Sequence, residues 1–105
     1  MLIGVTHGHT ARGASLPGIM AASVPELWGS TVHRTWLCGH IHHRDLKEYA
    51  GCTVEHFRTL AAPDAYATSH GYRSHRDMIS ILYHREYGEI DRHTLGLSRI
   101  PPPTT

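Results

Sequence analysis

The chain has little of what usually settles a protein's class early. In 105 residues there is one phenylalanine, there are two cysteines, and charged residues make up 18% with a formal net charge of +1. So small a charge exerts no bulk pull toward nucleic acid or a membrane surface, and charge selects no partner. No stretch reaches the roughly twenty apolar residues of a membrane helix, and no basic segment precedes a long apolar run. The expectation is a soluble, cytoplasmic protein with no membrane partner. Cys38 and Cys52 are not in C-x-x-C spacing and read as two free buried thiols, a single bridge being the alternative. Neither an internal repeat nor a coiled-coil period is present.

At 40% hydrophobic the composition is globular rather than disordered. A chain of this length makes one small domain and buries only about two thirds of its unfolded surface, so a marginal core is expected.

What the chain has in quantity is histidine, 11 in all. The stretch Trp36-Leu37-Cys38-Gly39-His40-Ile41-His42-His43 is an apolar run that stops at a glycine and delivers imidazoles into the following turn. In extended backbone, residues two apart point to the same side, so His40 and His42 can face one cleft while Ile41 packs away. Neutral imidazoles at a strand end suit a divalent transition metal. Alone, H-x-H is as readily a polar loop. The same grammar occurs earlier, where the short apolar strand Leu2 to Thr6 runs into His7-Gly8-His9-Thr10. If the two strands are parallel neighbours, their carboxyl ends share one rim, where open α/β sheets place their sites. The intervening segment is long enough for the crossover this requires.

Thr6-His7-Gly8-His9 after one strand and Gly39-His40-Ile41-His42 after the next resemble the last two metal motifs of the calcineurin-like metallophosphoesterases. That family comprises two-metal hydrolases of phosphate mono- and diesters, including DNA-repair exonucleases and phage enzymes. The resemblance implies two divalent ions (Mn, Fe or Zn), with His7 and His40 on one and His42 on the other. It gives His9 no ligand role. His9, and Arg12 in the loop after it, are candidate contacts to a substrate phosphate, Arg12 through its planar fork of donors. The implied substrate is a phosphoester, nucleic acid among the candidates. The family's earlier motifs, D-x-H, G-D-x-x-D and G-N-H-D/E, do not occur in these residues. The chain therefore reads as a carboxyl-terminal half over residues 1–100 with a disordered tail over 101–105. The missing carboxylates are then on another polypeptide, in a truncated frame, or lost with the activity.

Other readings compete. H-x-H followed by Glu48 admits a single-metal cupin-like module, although the glycine before the histidines is out of place for it. A non-catalytic metal-binding or structural fragment is the third. His33, His56, His75 and His84 read as ordinary surface or strand positions, so replacing His56 or His84 is expected to leave metal binding intact.

The rest of the chain supplies the architecture. Leu16 to Ala22 reads as a short helical turn. Ser23-Val24-Pro25-Glu26 combines an N-cap with an early proline and an acidic third position, opening a second helix through Trp28, itself a lid over the sheet. Arg34 to Cys38 is the second strand, Leu46 to Tyr49 and Thr53 to Leu60 a hairpin, and 60–74 a long loop that reads as a surface excursion, a return of His70, Tyr72 and Arg73 toward the site being the alternative. Met78 to His84 and Ile90 to Leu97 form a final hairpin around Glu86 to Glu89. The expected fold is α+β: part of a two-sheet metallophosphoesterase sandwich, with a short parallel strand pair and helical crossover, then antiparallel strands. The edge beside Leu2 to Thr6 should be left unpaired or recruit another chain.

Overall fold

A computed structural model describes residues 1–8, 12–39, 41, 43–59, 76–99 and 101. The chain is mixed α+β. Strand β1 (Leu2–Thr6) leads through a 3₁₀ turn to helices α1 (Leu16–Ser23) and α2 (Pro25–Ser30), and β2 (Arg34–Cys38) follows. Then come β3 (Asp45–Tyr49), β4 (Cys52–His56), β5 (Asp77–His84) and β6 (Gly88–Gly96).

The expected parallel pair is present: β1 runs beside β2 in the register Leu2 to Arg34 through Thr6 to Cys38, with both helices in the crossover. The later strands arrange themselves in a way that local patterning did not indicate. β3 and β4 form the antiparallel hairpin, but β4 lies inside it, parallel to β2, giving the order β1-β2-β4-β3. β4 ends at His56 rather than Leu60. Among the described residues β1 is paired on one side only, and Val5, 74% exposed, stands on that edge.

One face of the sheet is closed by α1. Leu16 packs with Cys38 and Val54, and Trp36 borders the same cluster, its indole N–H donating to the Leu16 carbonyl at 2.9 Å. Gly4, opposite Trp36 in the ladder, lies beneath the indole: a Cβ there would sit 2.6 Å from Cε3. α1 stops because Pro25 disfavours helical geometry at the preceding residue, and Val24 adopts φ −134°. Proline at the first position of α2 makes Val24 the residue before the helix, so Ser23 ends α1 instead of capping α2. Trp28 packs at one end of the sheet, its ring 3.4 Å from the Cβ position of Gly51 between β3 and β4. Its ring stacks under the Arg34 guanidinium at 4.2 Å, and Arg34 donates to the carbonyls of Trp28, Thr31 and Gly51, closing the end of the sheet opposite the histidines.

The other face carries the two-stranded sheet β5–β6. The buried Thr35 accepts a hydrogen bond from Thr53 at 2.7 Å. Glu55, 3% exposed, receives both terminal nitrogens of Arg92 from β6, one at 2.7 Å to Oε1. Arg58 pairs with the buried Asp77 of β5 at 2.8 Å. These two ion pairs pin the hairpin to the sheet. The long loop with His70, Tyr72 and Arg73, His75, and the tail from 102 onward lie outside the described residues.

Cys38 and Cys52 are both free and buried. Burial pushes both thiols above their ordinary value of 9.0, an effect that the charge of Arg34 partly opposes at Cys52. A folded-state value raised this way means that the unfolded chain loses the protons first, so stability is full below pH 9 and falls as pH rises above it. Denaturant midpoints should therefore hold to about pH 8 and decline by pH 10. The decline should be smaller in a Cys38→Ala/Cys52→Ala variant, whereas an equal decline in both proteins would assign the effect to other groups.

Candidate metal centre

The parallel register brings three strand ends into one row: Thr6 opposite Cys38, and Cys38 opposite His56. The residues that follow the first two are His7 and Gly39. His7 is exposed, and its Nδ1 lies 3.7 Å from the point a Cβ on Gly39 would occupy. The end of β2 thus lies beside the His7 ring, at ordinary van der Waals distance. Gly8 then turns the chain with φ +88°, a conformation open mainly to glycine, and its N–H donates to Thr6 Oγ1 at 3.3 Å. After Gly39 the backbone doubles back at once, with the Ile41 N–H donating to the Gly39 carbonyl at 2.9 Å. His43 bonds the Ile41 carbonyl through Nδ1 at 3.0 Å, which points it into its own loop.

Of the residues singled out from sequence, His7 is on this rim and Arg12 is an exposed residue at the start of the 3₁₀ turn Gly13–Ser15. His9, His40 and His42 lie outside the described residues. Among the described residues, no group of three or more His, Cys, Asp or Glu side chains is placed to hold an ion. Imidazoles suit Mn, Fe or Zn as one part of a ligand set that includes carboxylates. His7, beside Gly39, fits the histidine part. Glu48, the acid a single-metal barrel would draw on, pairs with Thr53 and so lies toward the opposite end of the β3–β4 ladder from His56.

His56 was not expected here. Its side chain is only 12% exposed, and its Nδ1 lies 3.8 Å from Asp45 Oδ2, the carboxylate directly across the β3–β4 ladder. Its Nε2 reaches to 3.9 Å from the Cβ position of Gly8, and its Cε1 to 3.6 Å from that of Gly13. A signal for this was available in the alternation of β4. His56 is two residues beyond Val54, on the apolar face, and it ends the strand. Next to the rim, between β1–β2 and β5, an apolar cleft of about 530 Å³ is lined by Val5, Leu37, Phe57, Ile79, Ile81 and Tyr83 and reaches Gly39.

Comparison with protein-family models, curated proteins and solved structures returned no match. No helix among the described residues is long and apolar enough to cross a membrane.

Proposed function

We propose that this chain carries the histidine side of a two-metal phosphoester hydrolase of the calcineurin-like kind, within the corresponding two-sheet sandwich. The observation that carries this reading is the juxtaposition of His7 with Gly39 at the ends of two parallel strands, each followed in sequence by further histidines. His7 and His40 would serve one divalent ion (Mn, Fe or Zn) and His42 the other, with His9 and Arg12 toward the substrate phosphate. Bound ions would activate water and neutralise charge on the leaving oxygen. The carboxylates such a centre needs, to keep two cations from repelling across a few ångströms, are not in the family's motif positions in these residues. A separate polypeptide supplying them would find a strand edge at β1 that is unpaired among the described residues. The substrate is then a phosphomonoester or phosphodiester, nucleic acid included. Metal binding without turnover is the second reading, favoured by the lack of the family's aspartate motifs in these residues.

In titration calorimetry with Mn²⁺ or Zn²⁺, the 105-residue chain should bind weakly. His40→Ala and His42→Ala should abolish that binding and His84→Ala preserve it; equal binding by all would put the site elsewhere. Hydrolysis of bis-p-nitrophenyl phosphate with Mn²⁺ should stay at the buffer rate for the chain alone and rise when a polypeptide bearing the aspartate motifs is added. Robust turnover by the chain alone, lost in His40→Ala, would show that the histidine side suffices.

A further inference from the structure

We infer that the tip of the β5–β6 hairpin is a pH-sensitive latch, in which the neutral His84 ring holds the turn and protonation of that ring releases it. The backbone N–H groups of Glu86 and Tyr87 both donate to His84 Nδ1, at 3.0 and 3.2 Å. A backbone N–H can only donate, so Nδ1 presents its lone pair and the single proton of the ring is on Nε2. The ring also stacks on Tyr87, with centroids 4.4 Å apart and planes 24° from parallel. When the ring takes up a second proton, Nδ1 becomes a donor and faces two N–H groups that it can no longer serve. The turn is therefore held while the ring is neutral and loses both bonds as pH falls. Imidazole is the side chain that changes charge between about pH 5 and 8, so the loss falls in that range.

The tip is also where the hairpin meets the amino-terminal end of the main sheet. His84 pairs with Gly88 in the ladder, and a Cβ on Gly88 would lie 2.9 Å from the ring of His33, the residue before β2. The Met1 amino group donates to the Arg85 carbonyl. The charged and titratable groups around the tip are thus Arg85, Glu86, Tyr87 and Glu89 on the hairpin, with Met1 and His33 from the sheet. Among groups of these types the imidazoles are the ones that change charge in the lower part of that range, and an amino group keeps N–H donors in either state. Among the described residues His33 is therefore the competing sensor. The pairs Glu55–Arg92 and Arg58–Asp77 hold the hairpin further along, which confines the release to the tip. Met1, His33, Gly88 and Glu89 belong to the wall of a polar cleft of about 700 Å³ between hairpin and sheet, so release of the tip opens that wall.

The test is NMR of the unaltered chain at about pH 8 and about pH 5. At the higher pH, ¹⁵N spectra should show His84 with its proton on Nε2, and the amides of Glu86 and Tyr87 should exchange slowly. At the lower pH their protection, corrected for the pH dependence of exchange itself, should fall roughly tenfold, as the loss of two hydrogen bonds implies. Amides in the middle of the ladder, near Ile81 and Arg92, should keep theirs. His84→Asn supplies an oxygen that accepts from the N–H two residues on and does not titrate, so its turn should be equally protected at both pH values. His33→Gln should retain the full response. A His84 ring protonated on Nδ1 at the higher pH, or protection unchanged at the lower, would overturn the proposal. So would a response that persists in His84→Asn or vanishes in His33→Gln, and so would equal loss along the whole hairpin, which is general acid unfolding. The decisive spectra come from the unsubstituted protein, so misfolding of a variant does not obscure the outcome.

Discussion

Replacing Arg92 with methionine should destabilise the protein by about 3–5 kcal/mol, because it strands the buried Glu55 carboxylate without its partner. Glu55 is 3% exposed and Arg92 22%, and the guanidinium meets both carboxylate oxygens, one at 2.7 Å. The same Arg92 also reaches the more exposed Glu89 at 2.6 Å, and its own proton is held more tightly by these two acids. Domains of this size have about 5–15 kcal/mol in total, so the variant would lose about a fifth or more of its stability. In a thermal melt this is a drop of roughly 15–30 °C. Hydrogen exchange should show the loss first in β5–β6, whose attachment to the sheet depends on this pair and on Arg58 with Asp77. A Glu55→Met/Arg92→Met double variant should recover most of the loss, since two apolar groups leave no orphaned charge. If the single variant melts within a few degrees of the parent, Glu55 is neutralised by other means and the pair is not what pins the hairpin.

The second large effect is expected at Gly4. A valine there would place its Cβ within 2.6–2.8 Å of three carbons of the Trp36 ring, closer than real contacts allow. The ring has no easy retreat. Its indole N–H is tied to the Leu16 carbonyl, and Leu16 is the helical residue that packs on Cys38 and Val54. Either α1 lifts from the sheet or β1 shifts away from β2. Overpacking of this kind costs typically 1–3 kcal/mol and sometimes more, and the tethered ring argues for about 3. The change should also be felt at the rim, because β1 carries His7 at its carboxyl end. A Gly4→Val/Trp36→Leu pair should restore much of the stability by removing the ring. Equal melting temperatures for Gly4→Val and the parent would mean that Trp36 moves freely and that α1 is not anchored through it.

The sequence by itself determined the local elements and the repetition of strand, glycine and histidine. β1, β2, the two short helices and the final hairpin were all legible, because alternation, proline placement and turn residues act within a few positions of the backbone they shape. Even the parallel β1–β2 pair followed, since two strands joined by a helical crossover have few other arrangements. Tertiary structure alone decided what depends on distant partners. Local patterning shows that β3 and β4 pair, yet it does not reveal that β4 lies inside the hairpin against β2. That choice brings His56 beside the His7 turn. The alternation of β4 marks a half-buried strand, but not that Glu55 is buried against a counterion 37 residues away on β6. Arg34 was legible as the start of a strand, but its stacking on Trp28 at the far end of the sheet was not. The physical reason is the same in each case. Backbone conformation is set largely by neighbours in sequence, whereas strand order and the partners of buried polar groups are set by which surfaces exclude water together.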